Sequence, residues 1–476
     1  MKPAGKENDS LLWLGIALLG ASTLLMWLPA LHTPFWGDDY VYLAAAHATN
    51  MAAAPWWSDF LPANPPRFWR PLSQEGYWRL IDLLLGDDAY AAHVASLGLH
   101  LLACGGVATL AFAIARACRW PRPRLTAVLA GVLYAGLAMH VLPVFWAAAA
   151  NNSFLTLFTT LCLAAGIWSA ESEGMRRALW LTSIPLSLSL ALLSKESAVL
   201  TVPLMVIVRL FTGQRRVRKG DVLTLVACAA ITAVWLVLRA HFTTRTDPPY
   251  DLVLGGNLVR NAAAFVAWMS DVPREALRMA ATGMLPRALA WIAATALPML
   301  AAAALALRHG RLRLRPEQWL FVALFAVVAY GPYFLLGWNS YAYYAAVGAI
   351  LPAVTLARCC IGSPRLWLIL PLVAVSSWVA VEGTRRLDHP GLIGRARWAE
   401  AMLHDLEQRN VGYPLWVAVK DPHRFYAVGE AGLAWRLKLP PASIHVAERC
   451  PATVRRCLQI AEDGSWHLEQ TTGIAR

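Results

Sequence analysis

The chain has 476 residues, of which 58% are hydrophobic and only 15% are charged. A soluble protein carries about 25% charged residues, so this composition excludes an ordinary soluble fold. The net charge of +13 does not indicate a nucleic-acid-binding protein, because the basic excess of a polytopic membrane protein usually lies in its cytoplasmic loops. The charges are uneven, with 48 in residues 1–384 and 23 in the 92 residues from 385 onward. The sequence therefore predicts a membrane domain over 1–384 and a tail domain over 385–476.

Apolar stretches of the membrane domain are candidates for transmembrane helices, since a helix needs about 20 mainly apolar residues to cross a hydrocarbon core about 30 Å thick. Eleven stretches qualify: 11–31, 89–115, 125–143, 145–168, 178–193, 197–211, 222–241, 287–307, 317–336, 340–358 and 364–382. The first is too long for the core of a signal peptide and is expected to be retained. The predicted fold class is an α-helical polytopic membrane protein with about 11 transmembrane helices.

The positions of Lys and Arg predict the orientation of these helices. With a cytoplasmic N-terminus, the inner segments contain 19 of the 29 basic residues before position 385, which follows the positive-inside rule. An odd number of spans then places the tail on the outer side, the periplasm of a bacterium. We therefore expect a multi-pass protein of the inner (plasma) membrane.

Two segments on the predicted outer side are too long to be simple connectors, namely residues 32–88 and 242–286. The first contains seven acidic residues and three arginines. The second is broken by prolines and glycines before a weakly apolar helix at 257–270, which is not counted as a span. Polar chemistry at the membrane surface is expected in these two loops.

The tail from Arg385 predicts a small α+β unit. Helical periodicity covers 395–409, and short strands are expected at Leu415–Val419, Ser443–Ala447 and Cys457–Ala461. Cys450 and Cys457 are the two cysteines of this unit, and in an oxidising compartment they form either a disulfide or two free thiols.

Asp38 and Asp39 follow the first span by a few residues. An adjacent pair of carboxylates at the water–lipid boundary is suited to a general base or a cation ligand for a lipid-borne substrate. Neighbouring side chains diverge, so one is expected to act while the other supports the structure. The alternative is a turn in which an aspartate caps a helix.

Cationic residues near the predicted outer ends of the spans are candidates for phosphate binding. Arg70 lies in Phe68-Trp69-Arg70-Pro71-Leu72, where its planar guanidinium suits a phosphate, with a solvated surface arginine as the alternative. Lys195 and Glu196 interrupt an apolar run, which indicates function unless the two simply form a local ion pair. Arg239 is a further candidate, with snorkelling to the interface as its alternative.

Three histidines, His93, His100 and His140, lie near the predicted outer ends of the second and third spans. They are either packing residues or the lining of one cavity that binds a phosphate or a sugar hydroxyl. Zinc is less favoured, because a helical pair spaced by three or four residues would be the stronger ligand signal.

The order of these motifs resembles that of the GT-C membrane glycosyltransferases, most closely the protein O-mannosyltransferase branch that includes the transmembrane-and-TPR-repeat enzymes. The matching motifs are Asp38-Asp39, Trp69-Arg70-Pro71-Leu72, His93 and His100 as His-x6-His, His140 with Trp146, Leu193-Ser194-Lys195-Glu196, and Tyr341-Ala342-Tyr343. Ser340 stands where the family usually has Arg, Ser96 stands where it usually has Asn, and no TPR array follows the spans.

The resemblance implies a GT-C-like fold and transfer of a sugar from a polyprenyl-phosphate carrier, generally with inversion, to a protein or cell-envelope glycan on the outer face. Asp39 or Asp38 would take the proton of the acceptor hydroxyl, while Arg70, Lys195 and Arg239 would offset the charge on the departing phosphate. Glu196, the three histidines, Tyr341 and Tyr343 would complete the substrate site. Related enzymes differ in their use of a divalent metal, so the metal stays an open alternative.

Two other functions fit the same composition. The first is a transporter or flippase of lipid-linked sugars, but transporters often carry inverted repeats and mid-bilayer charges, whereas the polar residues here gather at one face. The second is a non-catalytic envelope assembly protein whose tail binds a partner. In that case both outer loops would tolerate the loss of their carboxylates.

Overall fold

The computed structural model describes residues 9–62, 66–244, 250–310, 314–337, 341–361, 363–451, 453–454 and 456–470. Its α-helices are α1 Asp9–Trp27, α2 Asp38–Met51, α3 Tyr77–Leu85, α4 Ala89–Ala117, α5 Pro123–Ala135, α6 Val141–Phe145, α7 Asn151–Glu171, α8 Gly174–Leu192, α9 Thr201–Phe211, α10 Lys219–Phe242, α11 Asn257–Met269, α12 Arg274–Ala281, α13 Leu285–His309, α14 Pro316–Phe334, α15 Ile350–Ile361, α16 Leu366–Arg386, α17 Leu392–Gln408, α18 Pro422–Phe425 and α19 Gly429–Leu437. The mainly helical architecture confirms the predicted fold class.

Long apolar helices confirm much of the predicted membrane domain. Among the described residues, six are long and apolar enough to span: Ser10–His32, Ala89–Ala117, Ala147–Glu171, Lys219–Phe242, Leu285–His309 and Leu366–Arg386. A pair bent by 58°, Pro123–Ala135 with Ala138–Phe145, would be a seventh. Helices α8, α9, α14 and α15 occupy the four remaining predicted stretches without meeting this length and composition, so the count of eleven stays a prediction.

Small residues allow the helices of the bundle to approach closely. Gly106 of α4 faces α7, where a Cβ would collide with the Thr160 hydroxyl. Small residues at such contacts are typical of membrane helices, which associate mainly through van der Waals packing rather than through the hydrophobic effect. The large apolar side chains of the same helices point outward in many places, as Leu101 and Leu102 of α4 do. This pattern is expected of a bundle that faces lipid.

Asp271 fixes the bent span relative to the second long loop. Its carboxylate accepts a hydrogen bond from the backbone N–H of Ala138 at 2.7 Å and from the hydroxyl of Ser376 at 2.8 Å. Ala138 follows the break after α5, so this contact satisfies a backbone donor that the bend leaves without a helical partner. Loop 242–286 contains α11, which confirms the predicted helix at 257–270, and also α12. Asp271 therefore ties the segment between these two helices to the bundle.

The tail contains a four-stranded sheet of order β2-β1-β3-β4. The strands are β1 Leu415–Val419, β2 Ile444–Ala447, β3 Arg456–Ile460 and β4 Trp466–Gln470. Strands β2, β1 and β3 are parallel, and β4 is antiparallel to β3. This confirms the α+β prediction and the three predicted strands, while β4 was not predicted. Cys450 is paired with Cys457 in a disulfide.

The tail packs directly on loop 32–88. One hydrophobic cluster combines Trp36 and Trp78 of the loop with Leu415 and Leu433 of the tail. The backbone N–H of Gly37 also donates to the carbonyl of Ala427 at 2.8 Å. The two segments therefore form one structure at a single end of the helix bundle, which we call the loop end.

The orientation predicts which side of the membrane each exposed residue faces. We expect a cysteine at Ala401, exposed on α17, to react in intact cells with a membrane-impermeant maleimide, because the tail would lie outside. A cysteine at Met175, exposed at the start of α8, should react only after the cells are opened. Labelling is read by gel shift against the unsubstituted protein. The reverse pattern would overturn the orientation.

Candidate functional site

A cavity of about 1160 Å³ lies at the loop end, between loop 32–88, helices α11 and α12, and the tail. Two carboxyl groups, those of Asp38 and Glu75, line it. The arginines that line it are Arg67, Arg260, Arg274, Arg278 and Arg395. A site with more guanidinium than carboxyl groups is suited to an anionic ligand, because the arginine fork matches the geometry of phosphate and carboxylate.

Asp38 and Asp39 point into different surroundings at the start of α2. Gly37 precedes them with a φ of 58°, a left-handed conformation that favours glycine, and it turns the chain into the helix. Asp39 is fully buried and accepts hydrogen bonds from the backbone N–H groups of Trp36 at 3.1 Å and Ala148 at 2.7 Å. Asp38 instead lines the cavity. The predicted divergence of the pair is thus observed, with Asp39 bound to the backbone and Asp38 facing the cavity.

A tyrosine of the tail contacts the cavity-facing carboxylate. The hydroxyl of Tyr426 donates to Oδ1 of Asp38 at 2.9 Å. Burial raises the pKa of Asp38, while this hydrogen bond and the charges of Arg67 and Arg70 oppose the rise. Asp38 is therefore a carboxylate with increased basicity that opens on the cavity.

Arg70 and Glu196 form a bidentate ion pair under the floor of the cavity. The Nε of Arg70 lies 3.0 Å from Oε1 of Glu196, and its Nη2 lies 2.8 Å from Oε2. The ring of Phe68, which lines the cavity, stacks on this guanidinium with its centroid 4.3 Å from Cζ. Burial alone would raise the pKa of Glu196, but the charge of Arg70 holds it below its usual value. Glu196 thus pairs across 126 residues rather than with its neighbour Lys195.

Lys195 lies in the same buried layer. Its Nζ donates to the side-chain oxygen of Asn152 and lies 4.8 Å from the ring centroid of Tyr343. Burial lowers the pKa of Lys195 well below its usual value, and the nearby charge of Arg70 lowers it further. The amine is therefore held by an amide and an aromatic ring rather than by a carboxylate.

The two predicted tyrosines connect this layer to the cavity. The rings of Tyr341 and Tyr343 stack with centroids 5.2 Å apart. Tyr341 lines the cavity, and its ring lies 4.6 Å from the guanidinium carbon of Arg274. Ser340, the position at which the family usually has Arg, lies outside the described residues. One cationic side chain therefore lies against each ring of the stacked pair, Lys195 at Tyr343 and Arg274 at Tyr341.

The other predicted site residues do not line the cavity. His93, His100 and His140 are at most 3% exposed within the bundle, where the rings of His100 and His140 lie 4.8 Å apart. This arrangement matches the packing alternative. Arg239 lies near the ring of Trp235, at 6.0 Å, and its charge helps to lower the pKa of Glu196. Within the described part of the chain, no group of three or more His, Cys, Asp or Glu residues is placed to hold a metal ion.

Glu75 stands out only in the structure. It lies in a π-helical turn, Pro71–Gly76, that directly follows Arg70. Its Oε2 is buried and has no hydrogen-bond partner among the described residues, and burial raises its pKa to about 8. Turns of this kind often occur at functional sites, but no residue pattern indicates them in a sequence. The available signal was the proximity of Glu75 to the Arg70 motif.

An apolar groove of about 210 Å³ lies beside the cavity, among helices α5, α13, α14 and α15. Met269 lines this groove, while its neighbour Trp268 lines the cavity, so the end of α11 separates the two. The groove is lined almost entirely by aliphatic side chains and methionines. It offers an apolar surface to a hydrocarbon chain whose polar end lies in the cavity.

Comparison with known proteins identifies the fold. No protein-family model and no curated protein sequence match the chain. Among solved structures, the chain is similar to the crystal structure of ArnT from Cupriavidus metallidurans in the apo state, with a TM-score of 0.55 and 15% sequence identity. The match covers 91% of this chain and 86% of that chain. The chain therefore has a GT-C-like fold.

The Arg70–Glu196 pair predicts a stability effect. Glu196→Gln would leave a guanidinium that is 11% exposed without its charged partner, so we expect a loss of about 3 kcal/mol in the free energy of unfolding. Denaturation of the purified protein in detergent measures it. The control is Arg409→Gln, which removes an ion pair whose arginine is 50% exposed and should cost less than about 1 kcal/mol. Equal losses in the two variants would contradict the structural role of the buried pair.

Proposed function

We propose that the protein is an integral membrane glycosyltransferase that moves a sugar from a polyprenyl-phosphate-linked donor to an acceptor on the outer face of the inner membrane. The observation that carries the proposal is the placement of Asp38, a carboxylate with raised basicity, in a large cavity rich in arginine at the loop end of a GT-C-like fold. ArnT, which has a similar fold, is itself a GT-C glycosyltransferase.

In the proposed reaction, the Asp38 carboxylate accepts the proton of the acceptor hydroxyl. The oxygen then forms a bond to the anomeric carbon of the sugar, and the bond from that carbon to the phosphate oxygen breaks. The polyprenyl phosphate leaves with the bonding electrons, and the configuration at the anomeric carbon is inverted. A raised pKa suits this role, because a more basic carboxylate takes the proton more readily near neutral pH.

Positive charge around the cavity would stabilise the departing phosphate. Arg67 lines the cavity directly and stacks on the ring of Tyr250, with its Cζ 4.6 Å from the centroid. Arg70, Lys195 and Arg239 do not line the cavity. Arg70 is already paired with Glu196, and burial lowers the pKa of Lys195, so the field at the phosphate would come mainly from the arginines of the lining. Such fields are effective in a site of low dielectric constant, where screening is weak.

The apolar groove beside the cavity supports a lipid-linked donor. A phosphate in the cavity and a polyprenyl chain in the groove would meet at the end of α11. In this arrangement membrane lipids would compete with the chain for the groove, while the arginines would hold the head group. A transporter of the same lipid would use the same surfaces, but it has no need for a basic carboxylate held by Tyr426.

Three parts of this proposal rest on the motif resemblance: the O-mannosyltransferase branch, a sugar as the transferred group, and a protein or glycan as the acceptor. The acceptor bonds to the anomeric carbon from the side opposite the phosphate, so it must approach beside Asp38. The tail borders that side of the cavity through Pro422, His423 and Tyr426. The choice of acceptor is therefore expected to depend on the tail.

The two aspartates predict different effects. Asp38→Asn removes the proposed base, so we expect a folded, inserted protein with transfer reduced by about 10²-fold or more. Asp39→Asn replaces one of two oxygens that accept backbone N–H bonds, so we expect reduced stability instead. Transfer from a polyprenyl-phosphate sugar is measured in purified membranes, with folding checked by gel filtration. Full transfer by Asp38→Asn, with loss in a well-folded Asp39→Asn, would give the role of base to Asp39.

The raised pKa of Glu75 predicts that the rate of transfer falls at alkaline pH. With a pKa raised to about 8, its carboxyl is protonated at neutral pH and becomes negative above pH 8. A negative charge in the cavity opposes the phosphate, so transfer should fall as the pH rises through this value. Glu75→Gln stays neutral and should keep its activity above pH 8, whereas Asp87→Asn, an exposed change in the same loop, should follow the native profile. If transfer by the Glu75→Gln variant still falls above pH 8 as it does in the native protein, Glu75 is not the cause of the fall.

A further inference from the structure

Three arginines from two parts of the chain converge on the side of the cavity bordered by the tail. Arg274 and Arg278 belong to α12, and Arg395 belongs to α17 of the tail; all three line the cavity. Each guanidinium lies within electrostatic range of the others. Burial, together with the charges of Arg278 and Arg274, lowers the pKa of Arg395 to about 10. Three cations held together at this depth repel one another, a cost that a bound anion would remove.

The carboxylates near this cluster already have partners. Glu275 forms an ion pair with Arg274 at 3.5 Å. Asp421 accepts hydrogen bonds from the backbone N–H groups of His423 and Arg424 and lies 3.6 Å from His389. The cluster therefore retains an excess of positive charge that these two carboxylates do not balance.

One hydrogen-bond donor of the buried Arg395 guanidinium is unused within the described part of the chain. It is 4% exposed, and its Nη1 donates to the carbonyl of His423 at 2.8 Å. Its Nε is also buried and has no hydrogen-bond partner among the described residues. A buried donor without a partner costs free energy, so Arg395, which lines the cavity, retains unused hydrogen-bonding capacity.

The tail sheet presents its carboxyl edge to the same place. Strand β1 ends at Val419, and Pro422 and His423, which follow it closely, line the cavity. Ligands in α/β units bind outside the carboxyl ends of parallel strands, because the following loops meet there. The cluster thus lies where the tail would recognise a substrate.

We propose that Arg274, Arg278 and Arg395 form an oxyanion subsite for the acceptor, which would carry a phosphate or carboxylate group in addition to the hydroxyl that receives the sugar. This rests on the proposed transfer function. It assigns the donor phosphate to the Arg67 side of the cavity and the anionic acceptor group to the tail side. A neutral peptide hydroxyl would bring no anionic group to Arg278 and Arg395.

The test uses inorganic phosphate as the probe and the full-length protein in phosphatidylcholine nanodiscs. Phenylglyoxal modifies accessible arginines, and mass spectrometry reads each site separately. We expect phosphate to protect Arg278, which is partly exposed, with or without polyprenyl phosphate already bound. Arg395→Gln should raise the phosphate concentration that half-protects Arg278 about tenfold, whereas Arg287→Gln, an exposed change on α13, should leave it unchanged.

Three outcomes would overturn the assignment. Protection of Arg278 by polyprenyl phosphate alone, which inorganic phosphate then displaces, would assign the cluster to the donor. Phosphate that fails to protect Arg278 in the native protein would exclude an oxyanion subsite. The same preparation is also assayed for cleavage of polyprenyl-phosphate sugars. If phosphate protects the cluster but no donor is cleaved, the transfer function is contradicted. The cluster would then bind an anion, but that anion would not be the acceptor of a transfer reaction.

Discussion

The buried ion pair between Arg70 and Glu196 is the contact on which the floor of the cavity depends. It joins loop 32–88 to the turn after α8, and two further bonds reinforce it: Leu72 N–H to the carbonyl of Leu193 at 3.1 Å, and the Ser73 hydroxyl to the carbonyl of Ser194 at 2.6 Å. Together they hold the π-helical turn that carries Glu75. A bidentate guanidinium–carboxylate pair suits this position, because it fixes orientation as well as distance.

The tail completes this site rather than hanging from the bundle as a separate unit. Its ordinary composition suggests an independent domain, yet one hydrophobic cluster unites it with loop 32–88. Tyr426 holds Asp38, and Arg395 lies in the same cavity wall. Residues that differ by almost 400 positions in the chain therefore share one cavity. Loss of the tail would remove the wall as well as the tyrosine, so the shape of the cavity depends on the folding of the tail.

The sequence predicted those features that depend on local chemistry. Apolar length placed the long spans, and short stretches between turn residues placed β1, β2 and β3, because both signals are local in the chain. The partner of Glu196 could not be predicted in this way, since Lys195 is adjacent whereas Arg70 is 126 residues distant. The same holds for Glu75, whose significance depends on burial. The sequence thus supplied candidate residues near the loop end, but it did not show which of them meet.

The aspartate pair shows how small the deciding difference is. Adjacent residues on a helix point about 100° apart, so only one of the two could face the cavity. The backbone decided which, because the N–H groups of Trp36 and Ala148 lie where Asp39 points and need an acceptor. Asp39 satisfies these donors and thereby fixes the start of α2. Asp38 is left facing the arginines, where burial increases its basicity and the neighbouring positive charges limit that increase. The structural and the chemical role of the motif therefore depend on each other.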